Sequence, residues 1–69
     1  VSIITAKDIK KDDVISSAAI LEKIGTYGRV IGILDSKDGR IFRLTPYNVD
    51  SFLTIRLDAE MEEKFIKHF

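Results

Sequence analysis

Two runs rich in β-branched and aromatic residues flank a polar stretch near the middle of the chain. They read TYGRVIGIL at 26–34, DSKDG at 35–39 and RIFRL at 40–44. Such side chains suit a pleated, half-buried surface. Asp38-Gly39 between them predicts a hairpin turn in which Gly supplies the positive φ. The loop length leaves one residue of ambiguity, and a slip of one residue exchanges the two faces. With Asp35 opposite Arg40, Ile33 faces Phe42 and Ile31 faces Leu44 on an apolar face. Val30, Leu34, Ile41 and Arg43 then take the other face. Gly28 and Gly32 inside the first run predict a bulge or a close approach by another element.

The flanks complete the expected fold. VSIIT at 1–5 reads as a short strand, and Thr5 with Asp8 approximates a capping box for a helical turn over 6–11. Asp12 or Asp13 can cap a helix over 14–24, which Gly25 would end. Pro46 and Asn48 break the second hairpin strand. SFLTIRL at 51–57 alternates as a third strand. Asp58 would cap a helix over 59–69, with Met61, Phe65 and Phe69 as its apolar stripe and Glu60–Lys64 and Glu63–Lys67 as i,i+4 pairs. The expectation is one small α+β domain over 1–69. It is a three-stranded antiparallel sheet with two helices packed on one face, in the order α-β-β-β-α after a possible short N-terminal strand. Its predicted core is Val14, Ala18, Leu21, Ile24, Ile31, Ile33, Phe42, Leu44, Leu53, Ile55, Leu57, Met61 and Phe65.

Composition excludes several functions. The 69 residues include no cysteine, so disulfide frameworks, Cys-ligated zinc and thiol nucleophiles drop out. No apolar run approaches the ~18 residues of a membrane span. A core from ~70 residues rarely supplies more than ~3–5 kcal/mol of net stability, which favours completion by a partner. The expected compartment is the cytoplasm.

No catalytic constellation stands out. His68, the one histidine, reads as a solvated surface residue near the end of a helix. Ser16 and Ser17 read as helix surface, without a nucleophile-elbow setting. Asp8, Asp12 and Asp13 are interleaved with Lys7, Lys10 and Lys11, a pattern of capping and mixed surface charge rather than a cation site. Gly25, Gly28 and Gly32 lead into a strand, so they offer no helix N-terminus to a phosphate. The chain is therefore expected not to be an enzyme and to use no cofactor or metal.

Charge is more informative in its distribution than in its sum. Eleven basic residues balance eleven acidic ones, yet all four arginines fall between 29 and 56. Segment 26–57 carries five basic and three acidic residues, a net +2. Segment 58–69 carries two basic and four acidic, a net −2. Arg29, Arg43, Tyr47, Phe52 and Arg56 are the candidate contact residues, on a sheet face turned away from the helices. Arginine among aromatics is the usual composition of a protein hot spot, and it also holds single-stranded nucleic acid by stacking and phosphate contact. Overall neutrality weighs against phosphate binding as the main role. The expected function is a non-catalytic interaction or regulatory module, with another protein or a second copy of itself as partner. Nucleic-acid binding is the alternative.

Three local patterns resemble known families. The α-β-β-β-α order over 14–69 is similar to a double-stranded RNA-binding domain, although DAEMEE stands where that family has a lysine-rich helix start. TIRLDAEMEEKF at 54–65 resembles the strand and first helix of a ribbon-helix-helix repressor. ITAKD, the hairpin and LTPYN resemble the DNA-binding half of Phd/YefM-type antitoxins. These resemblances imply nucleic-acid-linked regulation without assigning it to a residue.

Overall fold

The computed structural model describes residues 1–49 and 53–69. Its elements in chain order are β1 (Ser2–Thr5), a 3-10 turn (Ala6–Asp8), β2 (Val14–Ser16), α1 (Ala18–Ile24), β3 (Gly28–Ser36), β4 (Gly39–Pro46), β5 (Ile55–Ala59) and β6 (Lys64–His68). The strands form one antiparallel sheet in the order β1-β6-β2-β3-β4-β5. This corrects the expected three-stranded sheet with two helices: the fold is mostly strand, with one short helix.

The expected C-terminal helix is strand β6, lying between β1 and β2. Ile66 pairs with Ile3 on one side and with Ser16 on the other. Two ladders to distant segments outweigh i,i+4 ion pairs worth a few tenths of a kcal/mol each. Glu60 to Glu63 form a turn closed by the Glu63 N–H on the Glu60 carbonyl. With that helix gone, the likeness to a double-stranded RNA-binding domain loses its second helix, and the ribbon-helix-helix likeness loses its first.

The expected helix over 14–24 divides in two. Val14–Ser16 is strand, and Ser17 rather than an aspartate is the cap, its Oγ accepting from Ile20 N–H at 3.3 Å. Gly25 ends the helix in the left-handed region at φ 84°, as expected. The aspartates serve the sheet instead. Asp12 N–H bonds the Val30 carbonyl, and Val30 N–H bonds the Asp13 carbonyl. Asp12 adopts φ 75° to do this, a conformation aspartate tolerates better than most residues.

The hairpin forms with Asp35 opposite Arg40 and Ile33 opposite Phe42. Its register shifts between Val30 and Gly32, so Val30 rather than Ile31 lies opposite Leu44 and enters the core. The turn residues are Lys37 and Asp38, and neither has positive φ. Gly39 is needed for space: a Cβ there would collide with the Ala59 carbonyl of the neighbouring strand.

The sheet curls into an incomplete barrel. Phe42 on β4 and Phe65 on β6 lie three strands apart in the ladder, yet their rings meet edge to face with centroids 6.0 Å apart. Arg40 on β4 reaches the segment after β1, where Nη1 donates to the carbonyls of Ala6, Lys7 and Ile9 at 2.9–3.1 Å. The core inside the curl is Ala6, Ile9, Ile15, Ile20, Val30, Phe42, Leu44, Leu57, Ala59 and Phe65. Phe42, Leu44, Leu57 and Phe65 match the sequence expectation. Ala18, Leu21 and Leu53, expected inside, are exposed.

Candidate functional site

Cross-strand pairs share a face, so the registers sort side chains into an inner and an outer set. On the outer face β4 presents Ile41, Arg43 and Thr45 in succession, and Tyr47 follows just past its end. β3 sets Leu34 beside Ile41, Gly32 beside Arg43, and Arg29 beside Thr45. The N–H of Tyr47 bonds the Tyr27 carbonyl and extends this ladder.

One end of the outer face is a cluster of rings. His68 stacks on Tyr27, with centroids 3.8 Å apart and planes 9° apart. Tyr27 is 5.2 Å from Tyr47, and Tyr47 is 5.8 Å from Phe69. Phe69 is 87% exposed. Sequence reading missed Tyr27, His68 and Phe69, because a helix over 59–69 would carry the last two away from the tyrosines. Alternation along KFIKH was the available signal, but it is short.

His68 is half-buried rather than solvated, and its Nε2 lies 2.8 Å from Ser16 Oγ. A serine and a histidine at this distance are the starting parts of a nucleophile and its base. Ser16, however, is only 4% exposed, on strand β2 rather than on a helix surface. Among the described residues no side-chain carboxylate is hydrogen-bonded to His68, so nothing of that kind fixes its orientation as a third group would. The contact ties β2 to β6.

Of the candidate residues chosen from sequence, Arg43 and Arg56 lie directly opposite each other on β4 and β5. Like charges so placed repel. Arg56 is neutralised by Asp58, which takes Nε at 2.8 Å and Nη2 at 3.2 Å. This hydrogen bonding holds the Asp58 carboxyl below its ordinary value and raises the Arg56 guanidinium. Arg43 has no ion-pair partner among the described residues. Arg29 stands between Val14 and Thr45, and its Nε is buried with no hydrogen-bond partner among the described residues. Tyr47 belongs to the ring cluster. Phe52 lies outside the described residues.

Beside Arg43 is a shallow depression of about 240 Å³ bordered by Gly32, Ile33, Leu34 and Ile41. Leu34 is 65% exposed there. Thr45, between the depression and the rings, is buried and donates to the Leu53 carbonyl at 3.1 Å. Among the described residues no group of three or more His, Cys, Asp or Glu side chains could hold a metal ion, and no helix is long and apolar enough to cross a membrane. Comparison with protein-family models, curated proteins and solved structures finds no match, so any functional reading rests on this geometry.

Proposed function

We propose that this chain is a non-catalytic binding module that engages another protein through the outer face of the β3–β4 hairpin. One observation carries the reading. Exposed Leu34, half-buried Ile41 and Arg43, which has no ion-pair partner among the described residues, share a depression on the same face as a cluster of four rings. Apolar anchors beside arginine and tyrosine are the composition of residues that dominate protein interfaces. The neutral sum of charges fits a protein partner better than a polyphosphate one. The proposed compartment is the cytoplasm, which cell fractionation tests.

A second reading, nucleic-acid binding, rests on Arg43 facing Arg56, with Arg43 on the same outer face as the ring cluster. Asp58 weakens it by neutralising one of the two charges.

The test is selection of peptides from a displayed library against the 69-residue chain, beside titration of labelled single-stranded oligonucleotides at low and physiological salt. Selected peptides should lose binding on Arg43→Glu and on Leu34→Ser, while both variants melt as the parent does. Peptides that bind these variants undiminished would remove the surface assignment. Oligonucleotide binding that falls steeply with salt and is lost in Arg43→Glu would transfer the function to nucleic acid.

A further inference from the structure

β1 and β5 are the two edges of the sheet, and they differ in how they are guarded. Natural edges are blunted by charge, proline or bulges that discourage pairing with another chain. β5 carries the exposed charges Arg56 and Asp58. β1 reads Ser2-Ile3-Ile4-Thr5, without a charge or a proline, and its register with β6 is unbroken.

The phase of the β1–β6 ladder fixes which groups that edge offers. Ala6 N–H bonds the Glu63 carbonyl, continuing a register in which Ile4 lies opposite Phe65 and Ser2 opposite Lys67. Residues in an antiparallel pair alternate between bonded and non-bonded positions. Ser2 and Ile4 therefore bond β6, while Ile3 turns its N–H and C=O outward and Thr5 its N–H, the Thr5 carbonyl already accepting from the 3-10 turn that it caps. The Ile3 side chain is 74% exposed on the outer face. Ile66 beside it is 41% exposed, and both border an apolar depression of about 280 Å³.

We propose that a second copy of this chain pairs with β1, antiparallel about a two-fold axis at Ile4. Ile3 of each copy then lies opposite Thr5 of the other. This register is self-complementary, because the Thr5 N–H of each copy meets the free Ile3 carbonyl of the other, while each Ile3 N–H meets a Thr5 carbonyl that it shares with the 3-10 turn. It also places the two Ile3 side chains diagonally across the junction, within reach of each other. Together with the two Ile66 side chains they make one continuous apolar stripe. The charge pattern permits this occupant. Lys64, beside Thr5 on the outer face, is separated from its counterpart by three strand spacings, roughly 14 Å. That is beyond the ~10 Å screening length at moderate salt. One four-residue edge is smaller than the ~800 Å² per partner of a standard interface, so association is weak. The junction is separate from the β3–β4 surface, and either assignment can fail alone.

Sedimentation equilibrium of the 69-residue chain from roughly 10 µM to roughly 1 mM brackets weak association. The apparent mass should move toward twice that of one chain. Amide exchange at Ile3 and Thr5 should slow several-fold over the same range, with Ile4 unchanged. Ile3→Pro removes an outward N–H but no β1–β6 bond, so it should melt as the parent does at low concentration and stay monomeric. If proline disturbs the strand, Ile3→Lys keeps every backbone donor and should also stay monomeric. A single-chain mass throughout the range overturns the proposal. So does a dimer that persists in the folded variant or that leaves exchange at Ile3 and Thr5 unchanged.

Discussion

The two ends of the curled sheet are closed by different chemistry. At one end a single arginine gathers three carbonyls from the turn after β1, and Gly39 lets β4 lie against Ala59. At the other end rings lie against each other, and one serine–histidine contact joins β2 to β6. The first end directs its polar groups at backbone. Arg40 has only 16% of its side chain exposed, and little of it is left to meet a partner. The second end leaves Tyr27, Tyr47 and His68 half-buried and Phe69 in solvent. Holding the fold thus falls to the inward-turned groups at the first end, while the proposed binding surface runs along the outer face of β3 and β4, from Leu34 and Ile41 beside the Asp35–Arg40 pair toward the rings. If so, substitutions at the arginine end should lower stability, and substitutions on the outer face toward the rings should lower binding first.

The largest effect is expected at Arg40. Arg40→Met keeps the aliphatic stem but leaves the carbonyls of Lys7 and Ile9 without their donor, while the Ala6 carbonyl keeps only the Ile9 N–H. Unsatisfied buried acceptors cost about 1–3 kcal/mol each, less where water can reach them, so a loss of about 2–4 kcal/mol in urea unfolding is expected. Asp35→Asn removes only an ion pair whose acid is 60% exposed, and should cost under about 0.5 kcal/mol. Equal losses from the two variants would mean that the ion pair, rather than the carbonyl contacts, closes this end.

Gly39→Ala comes next. The added Cβ meets backbone that cannot rotate away, so β4 and β5 must separate locally. Overpacking of this kind costs about 1–3 kcal/mol. Exchange of the amides along the β4–β5 ladder should quicken while those at the β1–β6 ladder stay protected. A variant as stable as the parent would show that β5 can shift without loss.

At the ring end Ser16→Ala should cost about 1 kcal/mol, the usual net worth of one hydrogen bond. His68→Ala removes the stack on Tyr27 as well, adding about 0.5–1.5 kcal/mol. A double-mutant cycle on the pair should return a coupling near the Ser16 value. Additive losses would show that Ser16 and His68 do not act together.

The same contrast explains which parts of the fold could be read from the chain. The β3–β4 hairpin was legible because its partners are neighbours in sequence, although the turn left its register open and Asp35 opposite Arg40 was one of the pairings it allowed. The bulge was signalled by Gly28 and Gly32. Its consequence, Val30 inward in place of Ile31, depends on Asp12 and Asp13 bonding Val30 from a distant segment. β6 was illegible for the same reason: both its partners, β1 and β2, lie some fifty or more residues away. Its own short-range pattern favours a helix. Arg43 and Arg56 could be placed on one face by alternation, whereas the meeting of Tyr27 with His68 required the curl.

The smallest effects concern two exposed ion pairs, and their pH dependence has opposite sign. Hydrogen bonding to Glu62 raises Lys7 above its ordinary value. That contribution is fully present at neutral pH, below the ordinary lysine range, and is lost as pH rises through the raised value. Asp58 is held low by Arg56. Its contribution is present above the ordinary carboxylate range, near pH ~4, and is lost as pH falls through the lowered value. The pairs also differ in what they join. Lys7 and Glu62 are 55 residues apart and link the turn after β1 to the β5–β6 turn. Arg56 and Asp58 are two residues apart within one strand. An unfolded chain can keep the second pair but not the first. Melting temperatures of Glu62→Gln and parent should therefore differ slightly at neutral pH and converge in alkali. Asp58→Asn should track its parent more closely still, converging in acid. A larger shift for Asp58→Asn than for Glu62→Gln would mean that Asp58 also restrains Arg56 from its repulsive neighbour Arg43, and would move part of the closure from the arginine end to the outer face.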